Sequence, residues 1–144
     1  MQYVEQMLAP LLTSRPPAPP DESIPDAEIY NSLGYIFADH GYRLNDALGY
    51  LLKAVELDPK NGAIADSYAW VLFKLKRYEE AKKEILHAIE LLGDDVDATI
   101  LDHAGDIFSA IGDKAVARDY WKKALTLDGD VDYDAIERKL ESAR

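Results

Sequence analysis

The sequence predicts an all-α solenoid of three stacked helical hairpins closed by a terminal helix, and three observations carry that reading. A pattern of Ala, three residues, a large apolar residue, two residues and Ala occurs three times, as Ala47, Leu51, Ala54, then Ala81, Ile85, Ala88, then Ala117, Trp121, Ala124, at offsets of 34 and 36 residues. Upstream of each stands a second small residue, Gly34, Ala69 and Gly105, at offsets of 35 and 36. Beyond Asp26, apolar residues recur three and four apart with no run of strict alternation, which is the period of a helix and not of a strand. A fixed period with small residues at fixed phases means units that stack and bury a shared core.

Taken in order, Met1–Leu12 reads as an amphipathic arm. Tyr3, Val4, Met7, Leu8, Leu11 and Leu12 share one face, and Pro10 is expected to bend or shorten the helix. Residues 13–25 hold Pro16, Pro17, Pro19, Pro20 and Pro25, which fix φ and remove backbone donors, so a non-helical linker is expected. At a polyproline rise it would span about 40 Å. Three repeats follow over 26–60, 61–96 and 97–129. Their first helices are expected over Asp26–Asp39, Gly62–Leu75 and Asp97–Ile111, and their second over Leu44–Leu57, Tyr78–Leu91 and Lys114–Leu127. Breaks fall at His40-Gly41, Lys76-Arg77 and Gly112-Asp113, where Gly suits a left-handed C-cap and Asp113 can cap the next helix. Pro59, Gly93 and Gly129 end the second helices. The small residues let antiparallel helices approach closely, and the final Ala of each set lets the following unit nest. Residues 130–144 fit a capping helix, with Tyr133, Ile136 and Leu140 in one stripe, because an open solenoid end needs a lid.

These residues resemble the tetratricopeptide repeat, whose pattern is W-x2-L-G-x2-Y, then A-x3-F, then P. The first unit shows Tyr30, Leu33, Gly34, Phe37, Ala47, Leu51, Ala54 and Pro59, with one extra residue in the Gly41–Asp46 turn. The second keeps Ala69, Leu72, Tyr78, Ala81, Ile85 and Ala88, and the third Gly105, Phe108, Ala117, Trp121 and Ala124. Gly93 and Gly129 stand where the proline would fall. The resemblance implies a right-handed superhelical solenoid. The segments 66–72 and 103–108 are also similar to the last repeats of longer bacterial tetratricopeptide proteins.

Composition narrows the function. With 27 Asp+Glu against 16 Lys+Arg the formal charge is −11, which disfavours a polyanionic nucleic acid as partner. The absence of cysteine leaves no disulfide framework, zinc knuckle or thiol nucleophile. No apolar run reaches the roughly 18 residues of a membrane span, and Met1–Leu12 lacks the basic start of a signal peptide. No Ser/His/Asp set, phosphate-cradling Gly loop or HExxH is present, so no catalytic residue, no cofactor and no enzymatic activity are expected. Asp102, His103 and Asp106 fall within one helical turn, yet two carboxylates and one His are too few ligands for a metal site. A solvated acidic face is the expected reading.

The resemblance implies a concave surface lined by the first helices. By the phases above it comprises Glu28, Asn31, Tyr35, Ala38 and Asp39, then Ala63, Asp66, Trp70, Phe73 and Lys74, then Thr99, Asp102, Asp106, Ser109 and Ala110. Family members that grip a chaperone's C-terminal carboxylate use Lys, Asn and Arg there. Here only Asn31 matches, and Asp66, Asp102 and Asp106 would repel such a tail. Asn31, Tyr35, Asp66, Trp70, Phe73, Asp102 and Asp106 are therefore the candidate peptide-binding residues, suited to a basic or apolar segment of another protein. Trp70 and Phe73 have a second reading, as seals between neighbouring repeats. A competing function is self-assembly, with Met1–Leu12 packing on another copy of the chain to form a homo-oligomer.

Overall fold

Local signals set the helix ends. Asn61 Oδ1 accepts from the amides of Ala63 and Ile64, Asp97 from Ile100, Asp113 from Val116 and Asp132 from Ala135, so four helices begin on a side-chain cap. Each first helix closes with the same pair of carbonyl contacts. Tyr42 N–H reaches Phe37 O, Arg77 N–H reaches Leu72 O, and Asp113 N–H reaches Phe108 O, each at 2.9 Å. The residue in the left-handed conformation is Gly41 (φ 64°), Lys76 (φ 65°) and Gly112 (φ 89°) in turn. Lys76 adopts it despite its Cβ, because the capping bonds of that turn are the same.

The computed structural model describes residues 23–143. Among them are seven α-helices and no strand: α1 (Ser23–Asp39), α2 (Leu44–Leu57), α3 (Gly62–Lys74), α4 (Tyr78–Leu92), α5 (Ala98–Ala110), α6 (Lys114–Ala124) and α7 (Tyr133–Ser142), with a short 3-10 turn at Gly93–Asp95. Helices pair as α1/α2, α3/α4 and α5/α6, and successive hairpins stack through α3 on α1 and α2, and α5 on α4. The all-helical solenoid is as expected. The arm at Met1–Leu12 and most of the linker lie outside the described residues.

Within the repeats, two boundaries differ from expectation by more than one residue. Helix α1 begins at Ser23 and takes Pro25 into its first turn, where the missing N–H has no intrahelical partner to lose. Helix α6 stops at Ala124, three residues short of Leu127. The Thr126 and Leu127 amides bond i−3 carbonyls, and the Thr126 hydroxyl takes the Lys123 carbonyl at 2.7 Å, so the last turn tightens and ends.

The repeated small residues do the packing work assigned to them. Leu51, Ile85 and Trp121 of the second helices are buried, and two of them press onto a glycine opposite. A Cβ on Gly34 would lie 2.4 Å from Leu51 Cγ, and one on Gly105 would lie 2.2 Å from Trp121 Nε1. Ala69 and Ile85 are fully buried in the same cluster. Ala47, Ala54, Ala81, Ala88, Ala117 and Ala124 are fully enclosed. Ala81→Leu is therefore expected to overpack the α3/α4 contact and destabilise by roughly 1–3 kcal/mol, read as a lower melting temperature. At the C-terminal end Ile136 of α7 is buried in one cluster with Trp121 and Ala124, which closes the last hairpin.

Candidate functional site

The middle and C-terminal half of α1, the starts of α3 and α5 and the α6–α7 connection bring one set of groups together. Asn31, Tyr35, Asp66, Asp97, Thr99 and Asp130 line a recess of about 330 Å³ that holds no cationic side chain. Asp66 is committed to His103 and Asp97 caps α5, whereas Asp130 is exposed and forms no ion pair among the described residues. The Tyr35 hydroxyl is pushed well above its ordinary pKa, by burial first and then by the negative field of Asp39, Asp66, Asp130 and Asp102.

The middle of the surface is an aromatic column rather than an open anchor. Trp70 is 6% exposed. Its ring stacks on His103 at 4.0 Å and 18° on one side and on Phe73 at 4.9 Å and 15° on the other. Lys74 Nζ sits 5.0 Å from the Trp70 ring centre, and Trp70 Nε1–H donates to Asp39 at 3.3 Å. Tyr35 abuts His103 at 6.0 Å. Of the two readings of Trp70, its burial fits the seal between neighbouring repeats and not the exposed anchor, because α5 brings His103 against the indole ring. Ala38 is likewise buried and lines nothing.

His103 is the residue sequence reasoning missed. Its Nδ1 lies 2.8 Å from Asp66 Oδ1, with both side chains nearly enclosed, so a first helix of one repeat is tied to the first helix of the next. Burial alone would push the imidazole pKa down. The charge and hydrogen bond of Asp66, with Asp102 and Asp106 nearby, outweigh it, and the net direction is up.

Asp102 and Asp106 are not a solvated acidic face either. Lys139 of α7 reaches both, at 2.9 Å to Asp102 and 2.9 Å to Asp106. Burial raises the Asp106 carboxyl above its ordinary range in spite of that lysine. Burial tends to lower the Lys139 ammonium, yet its bonds to Asp106 and Asp102 hold it above its usual value. No group of three or more metal-ligating side chains forms among the described residues.

With this geometry in place, a family model for the tetratricopeptide repeat matches residues 66–91, the α3/α4 hairpin. The α3/α4 hairpin is a tetratricopeptide repeat. A TPR repeat-containing protein of Pseudomonas aeruginosa, PA4667, is 32% identical over 65 residues, which are 45% of this chain and 11% of that protein. The matched part thus spans about a tenth of that tetratricopeptide relative. Two solved structures share the fold. The Arabidopsis OM64 TPR domain superposes with a TM-score of 0.71 at 14% identity, covering 85% of this chain and 97% of that one. The second TPR domain of human RPAP3, in complex with the HSP70 peptide SGPTIEEVD, gives 0.67 at 19% identity, covering 87% and 98%. No helix among the described residues is long and apolar enough to cross a membrane.

Proposed function

We propose that the chain is a non-enzymatic protein-interaction module whose concave groove takes a peptide segment carrying Lys or Arg beside an apolar side chain. The observation that carries this reading is the recess lined by Asp66, Asp97 and Asp130, which offers carboxylates, the Tyr35 hydroxyl and no cation. The RPAP3 domain of the same fold holds a peptide ending in EEVD. The recess of this chain is lined by carboxylates, which would repel such a tail, so the segment it accepts carries the opposite charge. Of the candidate residues, Asn31, Tyr35 and Asp66 line the recess, Phe73 and Asp106 lie beyond it toward the C-terminal ends of α3 and α5, Trp70 is buried between repeats, and Asp102 is held by Lys139.

Asp130→Lys on the full chain tests this without touching the core, because Asp130 is exposed. Affinity for a labelled Lys/Leu peptide, titrated by fluorescence anisotropy, is expected to fall about three- to ten-fold at low ionic strength, with the difference shrinking as salt is added. Equal affinity of wild type and variant, or tighter binding of Glu-rich peptides by the wild type, would overturn the reading.

A further inference from the structure

The groove does not carry one sign from end to end. Where α7 folds against the last hairpin, a second recess of about 620 Å³ opens beside Phe73 and Trp121, and its rim includes Lys114, Arg138 and Lys139. Lys139 is engaged with Asp102 and Asp106. Lys114 pairs with no carboxylate among the described residues, and Arg138 has only a 3.9 Å contact with Asp132 in which both side chains are largely exposed. Two uncommitted cations therefore stand over a floor of Phe73, Trp121 and alanines, whose one carboxylate, Asp106, is held by Lys139, in a chain whose net charge is −11. The acidic recess lies at the starts of α3 and α5, and this one at their C-terminal ends. Along α3, Ala63 lines the former and Phe73 the latter, a separation of about 15 Å at the helical rise.

On the premise that the groove binds peptides, we infer that its ligand is bipolar: a segment of another protein with a Lys or Arg for the acidic recess, an Asp or Glu for Lys114 and Arg138, and an apolar side chain between them. An extended strand rising about 3.3 Å per residue places the two charges about five positions apart. The apolar residue then falls on the stretch between the two recesses, before Phe73. Charge complementarity at both ends fixes the spacing that is accepted, whereas a ligand of uniform sign meets a like charge at one end.

The experiment uses the full chain and three labelled peptides titrated by anisotropy at low salt. One has Lys and Glu five positions apart with Leu between, one has Gln in place of Glu, and one has Lys and Glu adjacent. The first should bind about five-fold more tightly than either of the others, the scale of a pair of rim contacts. In the double variant Lys114→Glu, Arg138→Glu that advantage should vanish. Both positions are exposed, and a Glu in the first turn of α6 suits the helix dipole, so the variant keeps its fold, which circular dichroism checks. If the Gln peptide binds as well as the Glu peptide, or the advantage survives the double variant, the bipolar ligand is wrong while the groove reading stands. If no peptide binds at all, the groove reading falls and this inference with it.

Discussion

His103→Ala is expected to lower the unfolding free energy by about 3–5 kcal/mol, the cost of stranding a buried carboxylate. Asp66 is 6% exposed and would lose its only ring partner. Trp70 would also lose one of its two stacking faces. The wild-type pair brings its own pH signature. Because the folded imidazole binds its proton more tightly than the unfolded one, its contribution is fully present below about pH 6.5, the ordinary His value. It is lost as pH rises through the raised folded value. Melting temperature should therefore decline from near neutral pH upward, with Asp66, Asp102, Asp106 and Lys139 as the charges nearby. In Asp66→Asn the slope should flatten, since the charge that raises the imidazole is gone. A wild-type melting temperature flat from pH 6 to 9, or a His103→Ala loss below about 1 kcal/mol, would show that the pair does not hold the repeats together.

The second large effect is expected at Gly105, where adding a single methyl should destabilise by about 3 kcal/mol, at the upper end for overpacking. The Cβ would fall 2.2 Å from Trp121 Nε1 and 2.3 Å from Cδ1, atoms of a rigid ring that cannot bend aside. Trp121 itself is 4% exposed and its Nε1–H has no hydrogen-bond partner among the described residues. Trp121→Leu therefore removes an unpaired donor as well as bulk. In a double-mutant cycle, Gly105→Ala combined with Trp121→Leu should be less destabilised than the sum of the two changes by at least about 1 kcal/mol. Strict additivity in chemical denaturation would mean that the ring and the glycine do not contact as described.

How far the sequence revealed this molecule depended on whether a feature was local or shared between repeats. Helix α2 runs Leu44–Leu57 as the pattern indicated, and the Ala/Gly phases identified the packing faces because a small residue opposite a large one repeats within a hairpin. Asp113 was legible as a cap, since its role is decided three residues away. Pro25 misled, because a proline forbids a helix interior but not its first turn. The site was harder. Trp70 lies on the expected face of α3, but its burial is decided by His103 of the next repeat, and nothing near Trp70 in sequence announces that ring. The charge pairs were equally hidden, although a signal existed. Asp66–His103 and Lys139–Asp102 are both separated by 37 residues, one repeat plus one. Opposite charges compared at that offset would have found both bonds, which engage two of the groove's carboxylates.

Those two ties are also the longest-range side-chain hydrogen bonds among the described residues, and that sets how the chain acquires its shape. Stacking joins each hairpin chiefly to its neighbours in sequence, so little loop-closure entropy is lost before contacts form. Folding should start within any hairpin and spread outward, on a timescale of about microseconds to milliseconds. Loss of order should likewise start from an end. The ammonium of Lys139, carried by the last helix, then acts as a latch on that end: its release exposes two carboxylates of α5 to each other and lets the terminal unit fray while the central hairpins keep their amides protected from exchange.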